Sequence, residues 1–401
     1  MDNLRILQNL GVSNKTVIVR VDLNVPMLNG QVVDDNRLRK ILPTIEYLLS
    51  RHAKIILLSH FGRPKGNVVP EMSLKFLLKP LSEMLNRKKI HFVENYIEED
   101  QGQFIRNMQN AEIILMENLR FYPGETANDD KFVKKLAKLG QIYINDSFSC
   151  SHRAHASIVG LAQALPSAAG LLLQEEIKNL QSFWKNICNP IMAIVGGAKI
   201  STKLELLYHL LEKVNVLVIG GAMANSFLKA QDINIGKSLY EENLLEEAQN
   251  IIVKARELGC ELILPIDVVV ANNIHSGDTS KVVDILNVDD NSVIADLGPK
   301  TTNMIKEQIN YAKSLVWNGP LGAFEYPPFE QATVLVARKV IESTATGSLL
   351  SLAGGGDILA ALKSGGLAEG FSYISTGGGA FLEWLQGDNL PGIEVLCNNA
   401  C

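Results

Sequence analysis

The sequence predicts an α/β fold that is built from parallel sheets and divided into more than one domain. Short β-branched runs recur along the chain, and each is followed by a polar or glycine-rich turn and then a helical pattern, which is typical of βαβ units. The length of 401 residues corresponds to two or three domains. Ten of the twelve arginines lie in residues 1–170 and 22 of the 31 glycines in residues 171–401, so the two halves are suited to different ligands.

The predicted strands are distributed over the whole chain. In the first half they are residues 16–23, 54–59, 112–116 and 141–145. In the second half they are residues 191–195, 216–219, 261–264, 292–296, 314–317, 348–353 and 373–375. No low-complexity tract or short repeat interrupts them. Ligands of open parallel sheets bind beyond the carboxyl ends of the strands, so we expect the functional residues in the turns that follow.

A helix is predicted at the junction of the two halves. Residues 171–185 read LLLQEEIKNLQSFWK, follow Gly170, and end before Asn189 and Pro190. We therefore expect a first domain over residues 1–170, an interdomain helix over 171–185 and a second domain over 186–389. The tail from residue 390 has the character of a separate terminal segment.

The composition argues against several classes of protein. Hydrophobic residues make up 47% of the chain and charged residues 20%, which is the composition of a globular protein and not of a disordered or fibrous one. The net charge of −5 argues against a general nucleic-acid or membrane-surface binder, so any anion site must be local. The five cysteines are widely spread and form no C-x-x-C pair. Together with an N-terminus that lacks an apolar segment, they predict a cytoplasmic protein.

Polar and basic side chains follow the predicted strands of the first half. Arg20, Asp22 and Asn24 alternate with apolar residues and so share one face of the first strand. The other strands are followed by His60 and Arg63, by Arg120, and by His152, Arg153 and His155, while Arg37 begins a helical stretch. Converging guanidinium groups suit a small ligand that carries carboxylate and phosphate. Each residue by itself is equally well explained as a solvated charge, but four such groups at strand ends favour an anion site.

Glycine-rich turns follow the predicted strands of the second half. They begin at Gly196, Gly220, Gly319, Gly354 and Gly377. Glycine lets backbone N–H groups approach a phosphate closely, and a following helix N-terminus adds a favourable dipole. A single glycine run is usually only a tight turn. The additional presence of Lys199 and Lys203 on one helical face, and of Asp357 as a ligand for magnesium, favours a nucleotide site.

The common nucleotide-binding signatures are absent from the sequence. There is no G-x-G-x-x-G fingerprint and no H-R-D triplet, which argues against a standard dinucleotide enzyme or protein kinase. The segment Gly236-Lys237-Ser238 ends like a Walker A loop, but Gln231 stands where that loop requires glycine.

The chain resembles the phosphoglycerate kinases in motifs that extend over nearly its whole length. In order they are RVDLNVP at 20–26, HFGRP at 60–64, ENLRF at 117–121, HRAH at 152–155, GGAK at 196–199, WNGPLG at 317–322, GD at 356–357, STGGGA at 375–380 and LPG at 390–392. The resemblance implies two doubly wound parallel-sheet, Rossmann-like domains joined by a helix, with a substrate cleft between them and residues 390–401 packed back on the first domain. It also implies a monomer.

The reaction that the resemblance implies is a reversible phosphoryl transfer between 1,3-bisphosphoglycerate and ADP, giving 3-phosphoglycerate and ATP, in glycolysis and gluconeogenesis. The transfer would be direct and in line, would require Mg²⁺, and would occur when the domains close. The attacking oxygen of ADP is already anionic, so no general base is needed, and positioning and cations supply the catalysis.

The resemblance further implies the residues of each site. Those that bind 3-phosphoglycerate are Asp22, Asn24, Arg37, His60, Arg63, Arg120 and Arg153. Those that bind the nucleotide are Gly197, Ala198, Lys203, Gly221, Asn318, Pro320, Glu325, Gly355, Gly356, Asp357 and Ile358, with Glu325 on the ribose and Asp357 on the metal. The catalytic residues are Arg37, Lys199 and Gly378.

Two segments depart from the family pattern. Where the family usually has threonine this chain has Ile358, which cannot supply the hydroxyl, so we expect Ile358→Thr to raise turnover or nucleotide affinity. The family usually has alanine and glycine in place of Ser147 and Ser149, and serine is strained if position 149 needs a positive φ. Cys150 lies close to the expected anion site. Its thiol is either inert or a site at which oxidation inhibits the protein, and the sequence leaves both alternatives open.

Two other functional classes compete with the kinase. A non-catalytic descendant could keep the fold and bind ligands as a regulator, but it has no evident need for both Lys199 and Arg37. An NAD-dependent oxidoreductase lacks its fingerprint.

Overall fold

The computed structural model describes residues 3–28, 30–96, 107–275 and 280–397. The chain divides into two compact units, and we call residues 1–178 with 389–401 the first unit and residues 179–388 the second unit. Over the described ranges, no helix combines the length and the apolar character that crossing a membrane requires.

The described residues of the first unit form a six-stranded sheet. The strands of this unit are β1 (Thr16–Val21), β2 (Met27–Leu28), β3 (Gln31–Val32), β4 (Lys54–Leu58), β5 (Ile90–Val93), β6 (Ile113–Met116), β7 (Ile142–Asp146) and β8 (Ser167–Ala169). The sheet has the order β5-β6-β4-β1-β7-β8, and all of its pairs are parallel. Strands β2 and β3 form a separate antiparallel hairpin. The parallel arrangement confirms the predicted fold class and places the carboxyl ends of the six strands at one edge.

Helices cover this sheet through apolar residues at helical spacing. They are α1 (Asn36–Ser50), α2 (Leu78–Met84), α3 (Pro123–Thr126), α4 (Asp130–Ala137), α5 (Leu161–Ala164) and α6 (Leu171–Asn186). In α1, Leu38, Ile41, Ile45 and Leu48 recur every three or four residues and are buried in the core that also contains β1. Burying each such side chain stabilises the fold by about 1.5–3 kcal/mol.

The described strands of the second unit form two sheets. They are β9 (Ile191–Val195), β10 (Val216–Ile219), β11 (Glu261–Ile263), β12 (Asp267–Ala271), β13 (Lys281–Asp284), β14 (Val293–Leu297), β15 (Ser314–Asn318), β16 (Leu350–Gly354) and β17 (Tyr373–Ser375). A parallel sheet has the order β11-β10-β9-β15-β16-β17. The order β13-β12-β14 makes a smaller antiparallel sheet, which the sequence did not predict.

The second unit also alternates strands with helices. These are α7 (Leu204–Leu211), α8 (Met223–Lys229), α9 (Leu245–Leu258), α10 (Pro299–Tyr311), α11 (Gln331–Ala345), α12 (Gly356–Ser364) and α13 (Gly379–Gln386). Helices α10 to α12 supply Ile305, Val336 and Ile358 to a core that includes Trp317 of β15. This core therefore lies directly beneath the turn that follows β15.

A last helix, α14 (Pro391–Cys397), lies in the first unit although it follows the second in sequence. The Gly392 N–H donates to the Ser151 carbonyl at 2.8 Å, and the Arg5 side chain donates to the carbonyls of Val395 and Leu396. Residues 398–401 of the predicted terminal segment lie outside the described residues.

Helix α6 begins one residue after Gly170, as predicted, and is anchored at its N-terminus by the first unit. The buried carboxylate of Asp146 accepts from the Leu173 N–H at 3.2 Å, and the Thr44 hydroxyl accepts from the Leu171 N–H at 2.9 Å. These bonds satisfy two of the N–H groups that a helix start leaves without intrahelical partners. Burial raises the pKa of Asp146 to about 6 despite the hydrogen bond from Leu173.

Candidate active site

The polar groups of the first unit gather at the carboxyl edge of its sheet. Strand β1 ends at Val21, two residues earlier than predicted, and Asp22 and Asn24 lie in the turn beyond it. His60 follows β4 and Arg120 follows β6 by a few residues. Because all of these strands are parallel and adjacent, their turns come together at one place.

Asp22 and Arg37 form a half-buried ion pair at this edge. An Arg37 Nη1 donates to Asp22 Oδ2 at 2.6 Å and also to the Asn24 carbonyl at 3.0 Å. Burial by itself would raise the pKa of Asp22, but the Arg37 charge and the hydrogen bonds from Ser149 and the Asn24 N–H lower it to about 2. Asp22 is therefore an anion that holds the Arg37 guanidinium in place.

Ser149 takes part in this arrangement without backbone strain. It lies in a short 3-10 helix, Phe148–Cys150, and it is not among the described residues with positive φ. Its hydroxyl donates to Asp22 Oδ2 at 2.5 Å. The strain that was expected if position 149 needed a positive φ is therefore absent, because the segment is helical.

A buried arginine that is not among the predicted site residues supports His60. Arg20 is fully buried, and its Nη2 donates to His60 Nδ1 at 3.0 Å while its Nε donates to the Ser157 hydroxyl at 2.9 Å. That hydroxyl in turn donates to the buried carboxylate of Glu125 at 2.6 Å. The bond from Arg20 leaves the other ring nitrogen of His60, Nε2, as the protonated donor. Glu125 lies 32 residues from Ser157, so no local signal could have revealed the connection.

Three of the predicted arginines line one cavity of about 580 Å³. Its lining comprises Arg63, Lys65, Gly66, Arg120, Pro123, Thr126, Arg153 and His155. Gly62 connects this cavity with the Asp22 group, because its N–H donates to Asn24 Oδ1 at 3.0 Å and its carbonyl accepts from Arg120 at 2.6 Å. The first unit thus brings together all seven residues predicted for the triose acid, in two linked groups.

Burial of histidine at this site makes the stability of the first unit sensitive to acid. Burial and the Arg20 charge lower the pKa of His60 to about 3, and burial and the Arg153 charge lower the pKa values of His152 and His155 to about 4 and about 3. A histidine whose folded pKa lies below its unfolded value of about 6.5 contributes its full stability only above that value. The stability is lost as the pH falls from about 6.5 toward 3.

We expect this effect to appear as a pH-dependent difference between the natural chain and His60→Gln. Between pH 7.5 and 4.5 the difference in unfolding free energy should change by about 3 kcal/mol. The reason is that pH 4.5 lies about two pH units below the unfolded histidine pKa, and each pH unit there contributes about 1.4 kcal/mol. Hydrogen exchange of β1 and β4 measures the unfolding of the first unit. Tryptophan fluorescence would report on the second unit, because all three tryptophans (Trp184, Trp317 and Trp384) belong to it.

Titration of Asp146 is common to the natural chain and the His60→Gln variant, so its contribution cancels in the comparison. A difference in unfolding free energy that stays constant with pH would contradict the buried neutral histidine.

The second unit contains a cavity of about 290 Å³ that is lined partly by predicted nucleotide residues and partly by apolar side chains. The predicted nucleotide residues in its lining are Gly197, Ala198, Gly221, Pro320, Glu325 and Asp357. Its remaining lining is largely apolar and includes Leu239, Ile274, Phe324 and Tyr326, which sequence reasoning missed. They come from three loops that are far apart in sequence and show no periodicity, so the sequence carried no signal for them. An apolar pocket with a few polar groups at one side is the usual form of a small-molecule site.

Lys203 and Asn318 tie together the turns beside this cavity. The Lys203 ammonium donates to the carbonyls of Gly196 and Asn318, and the Asn318 amide donates to the Gly354 carbonyl at 2.6 Å. Burial lowers the pKa of Lys203 to about 8, although the charge of Asp357 opposes the shift. Among the described residues, Asn318 Oδ1 has no hydrogen-bond partner although it is buried. The three turns that follow β9, β15 and β16 are therefore linked by one cation and one amide.

Two glycines permit this close approach. Gly319 has a φ of +87°, and a Cβ there would collide with the Gly196 carbonyl and the Lys203 ammonium. Gly355 has a φ of +112°, and a Cβ there would collide with the Asn318 amide. Any other residue would push the turns apart, so both positions require glycine for conformational and steric reasons.

The first turn of α12 presents the groups that suit an anion and a metal. Gly356, Asp357 and Ile358 are its first three residues, so their N–H groups lack intrahelical partners. The Asp357 carboxylate is exposed at the cavity. Magnesium prefers oxygen ligands and is usually held by one or two carboxylates together with substrate phosphates. The residues present therefore fit a nucleotide-bound magnesium ion.

The side chain of Ile358 is fully buried in the core of the second unit. Its Cγ2 nevertheless lies on the side of the Gly355 turn, 4.0 Å from where a Cβ of that glycine would stand. A threonine could place its hydroxyl there, but it would lose the buried Cδ1 methyl. The substitution thus changes both the core and the turn.

Comparison of Ile358→Thr with Ile358→Val separates the two effects. Both variants lose the Cδ1 methyl, which costs about 1 kcal/mol of stability, and threonine loses more because its hydroxyl replaces a second buried carbon. Only threonine adds a donor to a charged phosphate, so we expect it to bind ADP about 10- to 150-fold more tightly than the valine variant. Calorimetric titration with ADP measures the difference. Equal affinity in the two variants would show that the hydroxyl has no phosphate partner.

The remaining predicted residues of the second unit are not part of the described lining of this cavity. Lys199 is exposed and precedes a short 3-10 helix, Ile200–Thr202, while Gly378 immediately precedes α13. Lys203, Asn318, Gly355, Gly356 and Ile358 belong to the turns described above. Lys199 therefore stands at the exposed end of the turn that follows β9.

Comparisons with known proteins identify the family of this chain. Residues 7–388 match the family model for phosphoglycerate kinase. A phosphoglycerate kinase of Cereibacter sphaeroides is 49% identical over 390 residues, covering 97% of this chain and 98% of that protein. One of Sinorhizobium medicae is 48% identical over 385 residues, covering 96% of each. The structure of phosphoglycerate kinase from Coxiella burnetii matches with a TM-score of 0.84 and 40% identity over 98% of each chain. The chain therefore belongs to the phosphoglycerate kinase family, whose members are phosphotransferases of glycolysis that use a nucleotide with a metal ion.

Proposed function

We propose that the first unit binds the triose acid of the reaction, 3-phosphoglycerate or 1,3-bisphosphoglycerate. The observation that carries this assignment is the cavity lined by Arg63, Arg120 and Arg153, which is linked through Gly62 to Asp22 and Asn24. Guanidinium forks bind the phosphate and carboxylate oxygens in pairs. His60, with its Nε2 proton fixed by Arg20, donates to the ligand, and Asn24 orients it.

The nucleotide is proposed to bind in the cavity of the second unit. Its adenine would lie among the apolar side chains near Leu239 and Tyr326, and its ribose would meet Glu325. The phosphates would accept from the N–H groups at the start of α12 and from Lys203. Asp357 would hold the magnesium ion, which supplies positive charge to the phosphate oxygens when it is bound.

Arg37 and Lys199 are proposed to act on the same transferring phosphoryl group, Arg37 from the side of the triose acid and Lys199 from the side of the nucleotide. The transition state of phosphoryl transfer is loose and carries its charge on the equatorial oxygens, so fixed cations stabilise it. Gly378, at the start of α13, offers a backbone N–H to the same oxygens. Neither the carboxylate of 3-phosphoglycerate nor the terminal phosphate of ADP needs to lose a proton before it attacks, and no side chain is required as a base.

A coupled assay with 3-phosphoglycerate and Mg-ATP tests the whole assignment. Turnover is expected. Binding of both ligands without turnover would identify the chain as a regulator that keeps the fold, and the absence of both would refute the assignment. Removing Mg²⁺ with EDTA should abolish turnover and leave 3-phosphoglycerate binding intact. The reason is that none of the residues proposed to bind the triose acid is proposed to hold the metal.

Because the substrates are proposed to bind to different units, transfer requires the units to close on each other. Closure would also exclude water and so suppress hydrolysis. We expect small-angle scattering to show a smaller radius of gyration when both substrates are present than with either alone. An unchanged radius with both substrates would count against closure. We further propose that the enzyme acts as a monomer in the cytoplasm, which sedimentation and cell fractionation test.

A further inference from the structure

A mixed cluster of metal-binding side chains lies in the first unit at the edge of the triose-acid site. Asp22, His60 and Cys150 are all buried, and one ligand atom from each lies within 4.8 Å of the others. The Cys150 Sγ is 3.9 Å from His60 Nδ1. We propose that this cluster binds a zinc ion, and that zinc bound there inhibits the enzyme in competition with the triose acid.

The donor set suits zinc by both chemistry and distance. Zinc is bound by cysteine sulfur at about 2.3 Å, by histidine nitrogen at about 2.0–2.1 Å and by carboxylate oxygen at about 2.0–2.2 Å. A sulfur and a nitrogen that are 3.9 Å apart accommodate such bonds at an angle of about 130°. Sites with three protein ligands leave the fourth position to water. Magnesium, which prefers oxygen ligands, is not selected by a thiol and an imidazole.

The backbone holds the three ligands close together before any ion binds. Asp22 follows β1, His60 follows β4, and Cys150 lies in the 3-10 helix beyond β7, and these three strands are neighbours in the sheet. The hydroxyl of Ser149, which is adjacent to Cys150, donates to Asp22 at 2.5 Å. Coordination therefore needs side-chain adjustment and not a rearrangement of the loops.

The cluster already attracts positive charge. The Nη2 of Arg20 lies 3.0 Å from His60 Nδ1 and 3.5 Å from Cys150 Sγ, and Arg37 contacts the carboxylate of Asp22. Zinc must displace the contacts that Arg20 and Arg37 make with the three ligands. The thiol proton passes to solvent as the sulfur coordinates. Arg20 keeps its bonds to Ser157 and to the Val21 carbonyl. The remaining repulsion makes the site weaker than a structural zinc site, so it fills only when free zinc rises.

Competition with substrate follows from the shared ligands. Asp22 and His60 are proposed to serve the triose acid, and zinc would withdraw both of them and release Arg37. This competition rests on the proposed function, whereas coordination by the three side chains does not. Binding and inhibition are therefore tested separately.

Equilibrium dialysis against buffered zinc, without substrate, tests the coordination. The natural chain is expected to bind one zinc ion more than Cys150→Ala, with Cys150→Ser as a second variant should alanine disturb the fold. Cys188→Ala is the matched control because Cys188 is an exposed free cysteine that is not part of the cluster, and its zinc content should equal that of the natural chain. Equal zinc binding by the natural chain and both Cys150 variants would overturn the site.

Initial rates at fixed free zinc and saturating Mg-ATP test the inhibition. Zinc is expected to raise the KM for 3-phosphoglycerate without changing kcat, and Cys150→Ala should need at least tenfold more zinc for the same effect. Zinc that binds through Cys150 but leaves KM unchanged would overturn the inhibitory role. The coupled assay of the proposed function contains no zinc, so its failure is distinguishable from failure of this proposal.

Discussion

Replacing Lys199 by alanine is expected to lower kcat about 10³-fold, which corresponds to about 4 kcal/mol of lost transition-state stabilisation. Lys199 is exposed at the turn after β9, where its ammonium can reach a transferring phosphoryl group without first breaking a buried contact. The same exposure means that the fold should be unaffected. Steady-state kinetics with 3-phosphoglycerate and Mg-ATP, together with a thermal melt, measure both expectations.

The matched control for this change is Lys237→Ala. Lys237 is also exposed, and it lies in the segment Gly236-Lys237-Ser238 that resembles the end of a Walker A loop. The buried Ser238 hydroxyl there donates to the Ile235 carbonyl and accepts from the Ile294 N–H, so the segment has a structural role. We expect Lys237→Ala to keep full activity. If Lys199→Ala retained more than a third of the natural kcat, the catalytic role of Lys199 would be wrong.

Replacing Arg37 by alanine is expected to lower kcat about 10³-fold and also to destabilise the first unit. The catalytic loss has the same origin as that of Lys199, since a fixed cation is withdrawn from the transition state. The structural loss arises because Asp22 keeps a buried carboxylate whose partner at 2.6 Å is gone. A hydrogen bond to a charged group is worth about 1.5–3 kcal/mol, so about 2 kcal/mol of stability should be lost.

The stability loss of Arg37→Ala has a defined pH dependence. The pKa of Asp22 is lowered to about 2 in the folded chain, so the ion pair stabilises the fold above the ordinary carboxyl pKa of 3.8 and is lost as the pH falls toward 2. The natural chain and the variant should therefore differ at pH 7 and converge as the pH approaches 2. Arg39→Ala removes an exposed arginine that pairs with Asp35, the residue that precedes α1, and it should change neither activity nor stability. If the unfolding free energies of the natural chain and Arg37→Ala did not converge at any pH, the ion-pair explanation would be contradicted.

Combining Arg37→Ala with Lys199→Ala tests whether both residues serve one phosphoryl group. Groups that act on the same transition state usually give losses that are far from additive. We expect the double variant to be much less impaired than the product of the single losses. Fully additive losses would show that the two cations act independently, and would contradict their proposed common target.

Much of the fold was predictable because parallel strands are buried on both faces and read as continuous β-branched runs. The predicted strands 191–195, 216–219 and 373–375 coincide with β9, β10 and β17. Strands β2, β3, β5, β8, β12 and β13 were missed. Strand β8 is Ser-Ala-Ala, which carries no pattern, while β12 and β13 pair with each other in an antiparallel sheet that the βαβ pattern does not anticipate.

The sequence by itself determined the α/β class, the family and the identity of the candidate site residues, because these depend on residue types in fixed local order. The roles assigned to those residues stay predictions. Only the tertiary structure decided which partners they have. It buried Arg20 against His60, connected that pair to Glu125 through Ser157, and placed Cys150 beside Asp22. It also buried the Ile358 side chain in the core and lined the cavity of the second unit with apolar residues from loops. These contacts join residues that are far apart in sequence, and burial, charge and pKa depend on such neighbours, so no local pattern encodes them.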